Sequence, residues 1–161
     1  PDAALIIAHR RIPAEALDTA IPAIIYHPRV LTVGVGCNRG TPADEIESAI
    51  ETTLREASLA DESILCIATA DAKSDEQGLL AVCAKHSWEL RTFTRQEINS
   101  IEKLPNPSVW SERALGIRGV CEPAAALAAG AREWLVEKRK HGNVTVAICL
   151  KQTDHYGKGS E

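Results

Sequence analysis

The sequence predicts an α/β layer fold, with a mostly parallel sheet flanked by helices and an antiparallel hairpin at one edge. Three observations predict it. Apolar runs of strand length alternate with longer stretches whose apolar residues recur every three or four positions. Helix-start and turn residues punctuate the boundaries between them. The last two apolar runs are separated only by His141-Gly142-Asn143, a spacing that suits a hairpin and not a crossover.

In chain order, Leu5-Ile6-Ile7-Ala8 is a short apolar run, followed by polar residues and Ile21-Pro22. Residues 1–28 therefore read as a strand and connector, or as the tail of a preceding domain. His27 is held extended by Pro28. Residues 30–35 form a compact apolar run expected to be a buried strand. Thr41 then suits an N-cap, Pro42 a first helical position, and Asp44 a capping box. Ile46, Ile50 and Leu54 give the helix one apolar stripe as far as about Ala57. Residues 64–68 are a second strand. Ser74 and Gln77 resemble a capping box for a helix burying Leu79, Leu80 and Cys83. Residues 90–93 are a third strand, and Thr94 with Glu97 caps a helix that buries Ile98 and Ile101. Pro105 and Pro107 mark a loop, with an irregular stretch through Gly116 and Gly119. Pro123 starts an alanine-rich helix that Gly130 ends. Residues 134–138 and 144–150 are the hairpin strands. The main domain thus covers 29–150, and residues 151–161 are a polar, frayed tail.

A chain of 161 residues with 45% hydrophobic content can bury a single sizeable core, which excludes wholesale disorder. A net charge of −4 offers no field for nucleic acid or an anionic membrane. The basic run Lys138-Arg139-Lys140-His141 reads as a solvated strand end. No run is long and apolar enough to span a bilayer, and no secretion signal is visible. The first residue is Pro1, so the chain is expected to be processed or, preferably, a piece of a longer polypeptide. Cys37, Cys66, Cys83, Cys121 and Cys149 are odd in number and widely spaced, which argues against a disulfide framework or a zinc site and for a reducing cytoplasm.

Ligands of open α/β sheets bind at the carboxyl ends of the strands, and two segments fall there. In Gly34-Val35-Gly36-Cys37-Asn38-Arg39-Gly40-Thr41 the glycines permit close approach, the helix-start N–H groups favour an anion, and Arg39 can clasp a carboxylate. The same residues read as a tight strand-to-helix turn. The dinucleotide fingerprint fails because the third glycine comes one residue late, and the P-loop lysine is absent, so a nucleotide ranks low. Asp71-Ala72-Lys73-Ser74-Asp75-Glu76 offers a general base and a cation for developing charge. Its ordinary reading is helix-start acids beside a solvated lysine. Glu122 can cap a helix or face a ligand. Ser108 lacks an adjacent histidine, so a Ser-His-Asp nucleophile has little support. His27 and His86 read as ordinary histidines, and Trp88, Trp110 and Trp134 as core or interface residues.

Together these two segments, with Gly119-Val120-Cys121-Glu122-Pro123-Ala124-Ala125-Ala126-Leu127 and Val144-Thr145-Val146-Ala147-Ile148, resemble the C-terminal domain of the cobalamin-biosynthesis CbiG/CobE family. The resemblance spans residues 30–150. Asn38 stands where the family usually has a basic residue, which removes one contact to a substrate carboxylate, and Pro123 replaces a small residue. The resemblance implies a cobalt-precorrin-5A hydrolase, which opens a ring δ-lactone and releases acetaldehyde. It implies Asp71 or Glu76 as base and Lys73 as the stabiliser of developing charge. Gly34, Gly36, Cys37, Asn38, Arg39, Gly40 and Thr41 would be substrate-binding positions, joined by Ser108 and Glu122. Cobalt would belong to the substrate, and no cofactor or protein metal site is expected. An N-terminal domain of the same polypeptide is an expected partner, and an exposed edge strand can support a homodimer. Two other readings stay open: a non-catalytic tetrapyrrole carrier, and a generic anion- or nucleotide-binding domain.

Overall fold

The computed structural model describes residues 3–106 and 119–152. Its centre is a five-stranded sheet of β3 (Leu31–Cys37), β4 (Ile64–Ala70), β5 (Glu89–Phe93), β6 (Trp134–His141) and β7 (Val144–Leu150), in the order β5-β4-β3-β7-β6. β3, β4 and β5 are parallel, whereas β7 runs antiparallel to β3 and to its hairpin partner β6. A separate two-stranded parallel ribbon pairs β1 (Ala4–Ile7) with β2 (Ala23–Tyr26). The helices are α1 (Ala43–Glu56), α2 (Gln77–His86), α3 (Arg95–Ser100) and α4 (Cys121–Ala129). The expected mostly parallel sheet with an antiparallel edge hairpin is therefore present.

The alternation of side chains along β3 decides where the helices lie. Leu31, Val33, Val35 and Cys37 share one face and form a core with Ile46, Ile50 and Leu54 of α1 and Leu79, Val82 and Cys83 of α2. Val146 and Ile148, paired with Val35 and Val33, extend that face across β7. The opposite face carries Thr32, Gly34 and Gly36, continued by Ala68 and Ala70 of β4. Side chains this small let alanine-rich α4 press close. Thr32 Oγ1 donates to the Ala125 carbonyl at 2.8 Å, and a Cβ placed on Gly34 would lie 1.8 Å from the Cys121 carbonyl oxygen. The result is a three-layer sandwich of helices, sheet and helices.

Several local expectations are corrected. β3 runs on to Cys37, so Gly34 and Gly36 lie within the strand and not in a loop. The residue before α1 is Pro42, and Thr41 Oγ1 donates to the Asn38 carbonyl instead of accepting from the helix. Asp44 only receives its neighbour's N–H. The Ser74–Gln77 capping box does not form, because residues 71–73 make a 3-10 turn and α2 begins only at Gln77. Leu80 is exposed. The Thr94–Glu97 box does form, with both reciprocal bonds and Ile98 buried, while Ile101 is only half-buried. Gly130 ends α4 in the left-handed conformation, φ 66°. β2 had no counterpart among the expected strands. Pro107, Ser108, Trp110, Gly116 and the tail beyond Gln152 lie outside the described residues.

Candidate functional site

The parallel strands β3 and β4 deliver their carboxyl ends side by side, and the two segments singled out above meet there. After Cys37 the chain turns sharply. Thr41 N–H donates to the Asn38 carbonyl at 3.3 Å, and Gly40 takes φ 74°, a conformation glycine adopts without strain. After Ala70 the chain makes the 3-10 turn Asp71–Lys73 and then enters α2.

Arg39 and Glu76 join the two segments. Arg39 donates to the Ala72 carbonyl at 3.0 Å and to Asp75 Oδ1 at 3.1 Å, and lies 3.4 Å from Glu76 Oε1. Glu76 is buried, and its Oε2 accepts the Gly40 N–H at 3.1 Å. Its Oε1 makes no hydrogen bond, although Arg39 is near. Charge attraction without hydrogen-bond geometry reconciles the two observations. Asn38 ties the turn to the β6–β7 hairpin. Its Nδ2 donates to Asn143 Oδ1 at 2.8 Å, and Glu45 Oε1 receives both the backbone N–H and the Nδ2 of Asn143. Arg39, Gly40, Thr41, Asp75, Glu76 and Gly78 border an open depression of about 480 Å³, within the range of small-molecule sites.

Lys73 stands apart. It is only 9% exposed, yet its side chain makes no hydrogen bond or ion pair among the described residues. It lies close enough to Cys37 to act on its thiol. Burial pushes that thiol up, Lys73 and Arg39 draw it back, and Glu76 adds to the rise. The net rise leaves Cys37 a neutral thiol at neutral pH and no candidate nucleophile. Asp71 is exposed on the same 3-10 turn, its carboxylate unpaired among the described residues.

The remaining positions behave differently. Gly34 and Gly36 are buried against Cys121 and Thr145, so their missing side chains make room for protein and not for a ligand. Thr41 is turned inward onto the Asn38 carbonyl. Glu122 is buried away from the depression. Its carboxylate accepts from the Asn106 N–H, from Asn106 Nδ2 and from the Lys138 N–H, and its carbonyl from Trp134 Nε1. It therefore anchors the loop before residue 107 to β6. Ser108 lies outside the described residues. Sequence reasoning missed Asn143 and Glu45. A hairpin asparagine and a first-turn glutamate look ordinary until the hairpin is seen beside the turn.

Comparison with known proteins gives these features a context. The family described as "Cobalamin synthesis G C-terminus" matches residues 31–149. The chain is 42% identical over 150 residues to the cobalt-precorrin-5A hydrolase of Priestia megaterium, covering 93% of this chain and 40% of the hydrolase. It is 30% identical over 120 residues to Protein CobE of Sinorhizobium sp, covering 73% of this chain and 78% of that protein. The crystal structure of CobE, described as a protein from the cobalamin (vitamin B12) biosynthetic pathway, superposes with a TM-score of 0.73 and 28% identity, over 80% of this chain and 94% of that one. The chain thus spans about 40% of the hydrolase's length but most of CobE's. With a match across the whole five-stranded sheet and both site segments, the chain belongs to the cobalamin synthesis G C-terminal family.

Proposed function

We propose that this chain binds a corrin-type tetrapyrrole intermediate and, as the C-terminal domain of a cobalt-precorrin-5A hydrolase, opens its ring lactone with release of acetaldehyde. The observation that carries the reading is Lys73, a largely covered side chain at the carboxyl end of β4 whose amine has no hydrogen bond or ion pair among the described residues. Its three ammonium donors are open to an acceptor that arrives from outside. A lactone oxyanion is such an acceptor.

Asp71, unpaired and in contact with solvent, takes a proton from water as its oxygen adds to the lactone carbonyl. Lys73 donates to the resulting oxyanion. Collapse breaks the ring C–O bond, leaving a carboxylate on the macrocycle and a free hydroxyl on the two-carbon arm. Loss of the hydroxyl proton then forms a carbonyl as the C–C bond to the ring breaks. The electron pair passes into the conjugated macrocycle, which takes up a proton, so one water is consumed and one acetaldehyde leaves. Cobalt travels within the substrate, and no cofactor of the protein's own is needed. Arg39 faces the peripheral carboxylates, while Glu76 holds Arg39 and Gly40 in place.

Acetaldehyde release from the lactone-containing cobalt-precorrin, measured with the purified chain, tests this directly. Asp71→Asn should lower the rate about 10²–10⁴-fold and Lys73→Met about 10²–10³-fold, with thermal melts unchanged for the exposed Asp71. Wild-type turnover in Asp71→Asn would remove its role as base. A second reading, binding without catalysis, draws on the match to most of CobE, whose name carries no hydrolase activity. A tetrapyrrole absorbance shift on binding with no acetaldehyde would favour it.

A further inference from the structure

The β1–β2 ribbon is anomalous. Parallel sheets are ordinarily buried on both faces, and their crossovers supply the covering helices. Here the crossover from β1 to β2 contains only a 3-10 turn, Ala14–Ala16, and no ribbon residue is fully buried. Leu5 pairs with Ile24 and Ile7 with Tyr26 on one face. These four are 66%, 67%, 63% and 57% exposed. Isolated exposed apolar residues are ordinary, but four large ones side by side on an uncovered sheet mark an interaction surface.

The relatives' lengths bear on what covers it. The family match begins at residue 31. The match to the hydrolase leaves only 11 residues of the chain unaligned, so it runs well into the segment before residue 31 and takes in β2. β2 therefore accompanies the longer protein. We propose that the face formed by Leu5, Ile7, Ile24 and Tyr26 is the seat of a further domain, the one that occupies the remaining length of hydrolase-type polypeptides, and that this domain adds to the ribbon as to an unfinished α/β sheet.

The mounting of the ribbon places that domain at the end of the sheet away from the depression. Beyond β1, Arg11 N–H donates to Ser58, Ala60 N–H donates to His9, and Arg11 pairs with Asp61. These contacts lie in the connection between α1 and β4, at the amino end of β4. β2 enters β3 at its amino end too, where the Val30 N–H meets Ser63. The seven residues of β3 set the seam roughly 20 Å from the Cys37 end.

Amide hydrogen exchange tests the seam without recourse to turnover, so its failure and the failure of the hydrolase reading are separable. The chain alone is compared, at equal high dilution, with the chain fused behind the unmatched portion of the Priestia megaterium hydrolase. Amides of β1 and β2 should exchange at least tenfold more slowly in the fusion. The double variant Leu5→Asp, Ile24→Asp should abolish that slowing while the five-stranded sheet keeps its exchange pattern. Equal ribbon exchange with and without the added domain overturns the proposal. Protection that appears in the isolated chain as its concentration rises also overturns it, because the occupant is then a second copy.

Discussion

Glu76 joins two segments 36 residues apart, one oxygen accepting the Gly40 N–H and the other facing the Arg39 charge. Glu76→Ala would leave the part-buried Gly40 N–H without its acceptor and remove the charge facing Arg39, at a cost of about 1–3 kcal/mol. Glu76→Gln keeps an acceptor for Gly40 and should lose less. Urea midpoints rank the two variants. If Glu76 positions the turn and takes no proton from substrate, Glu76→Gln should raise KM for the tetrapyrrole more than it lowers kcat. A kcat collapse at unchanged KM would make it the base instead. The sequence suggested Arg39, Lys73 and Glu76 because charge at a strand end invites chemistry. It could not say that Arg39 and Glu76 face each other, since that contact exists only once β3 and β4 pair. Nor could it say that the Lys73 side chain is largely covered by its neighbours. Burial is a property of the neighbours, not of the residue.

At the scale of elements, the glycines of β3 show the same limit. A glycine announces a missing side chain but not what fills the space. The space beside Gly34 holds the backbone of α4, with the Ala125 nitrogen 2.9 Å and the Cys121 oxygen 1.8 Å from where a Cβ would stand. Backbone atoms cannot swing aside as a side chain can, so Gly34→Ala must move the helix. It should destabilise the chain by at least about 3 kcal/mol, the upper end of ordinary overpacking, and thermal melts or soluble yield would show it. Gly40→Ala meets open space and has only the φ of 74° to contend with, so a loss of about 1 kcal/mol is expected. The strands and helices with clear periodicity were legible: α1 by its four-residue stripe, the hairpin by its short turn, α3 by its capping box. Helix starts that rested on Thr41 and Ser74 were not. Each lies beside a turn that satisfies it locally, the Asn38 carbonyl in the first case and the 3-10 turn in the second. β2 was hidden because its four residues sit between Pro22 and Pro28, where a connector looks sufficient.

All five cysteines are buried. Burial pushes the thiols of Cys66 and Cys83 up to about 11, and those of Cys121 and Cys149 up to about 12. Unfolded, the same thiols ionise near 8.5. Between the two values the unfolded chain has lost protons that the folded chain retains, so stability falls as pH rises. Below about pH 8 both states keep the protons, and these groups leave stability unchanged with pH. Above about pH 9 each thiol should contribute a loss approaching 1.4 kcal/mol per pH unit, until it ionises in the folded state as well. Urea midpoints measured from pH 7 to 10.5 under reducing conditions should be level and then decline steeply. Lysines and tyrosines also titrate near the upper limit, so the assignment rests on variants. Cys66→Ala and Cys149→Ala should each lower the plateau, through the small cavity left, and make the alkaline decline shallower. An unchanged slope would mean that other groups drive the decline. The same burial predicts that a thiol reagent modifies the native chain only at the rate at which it opens, whereas all five react at once in denaturant. Rapid labelling of a single thiol under native conditions would single out Cys37, the least buried of the five, at 8% exposed.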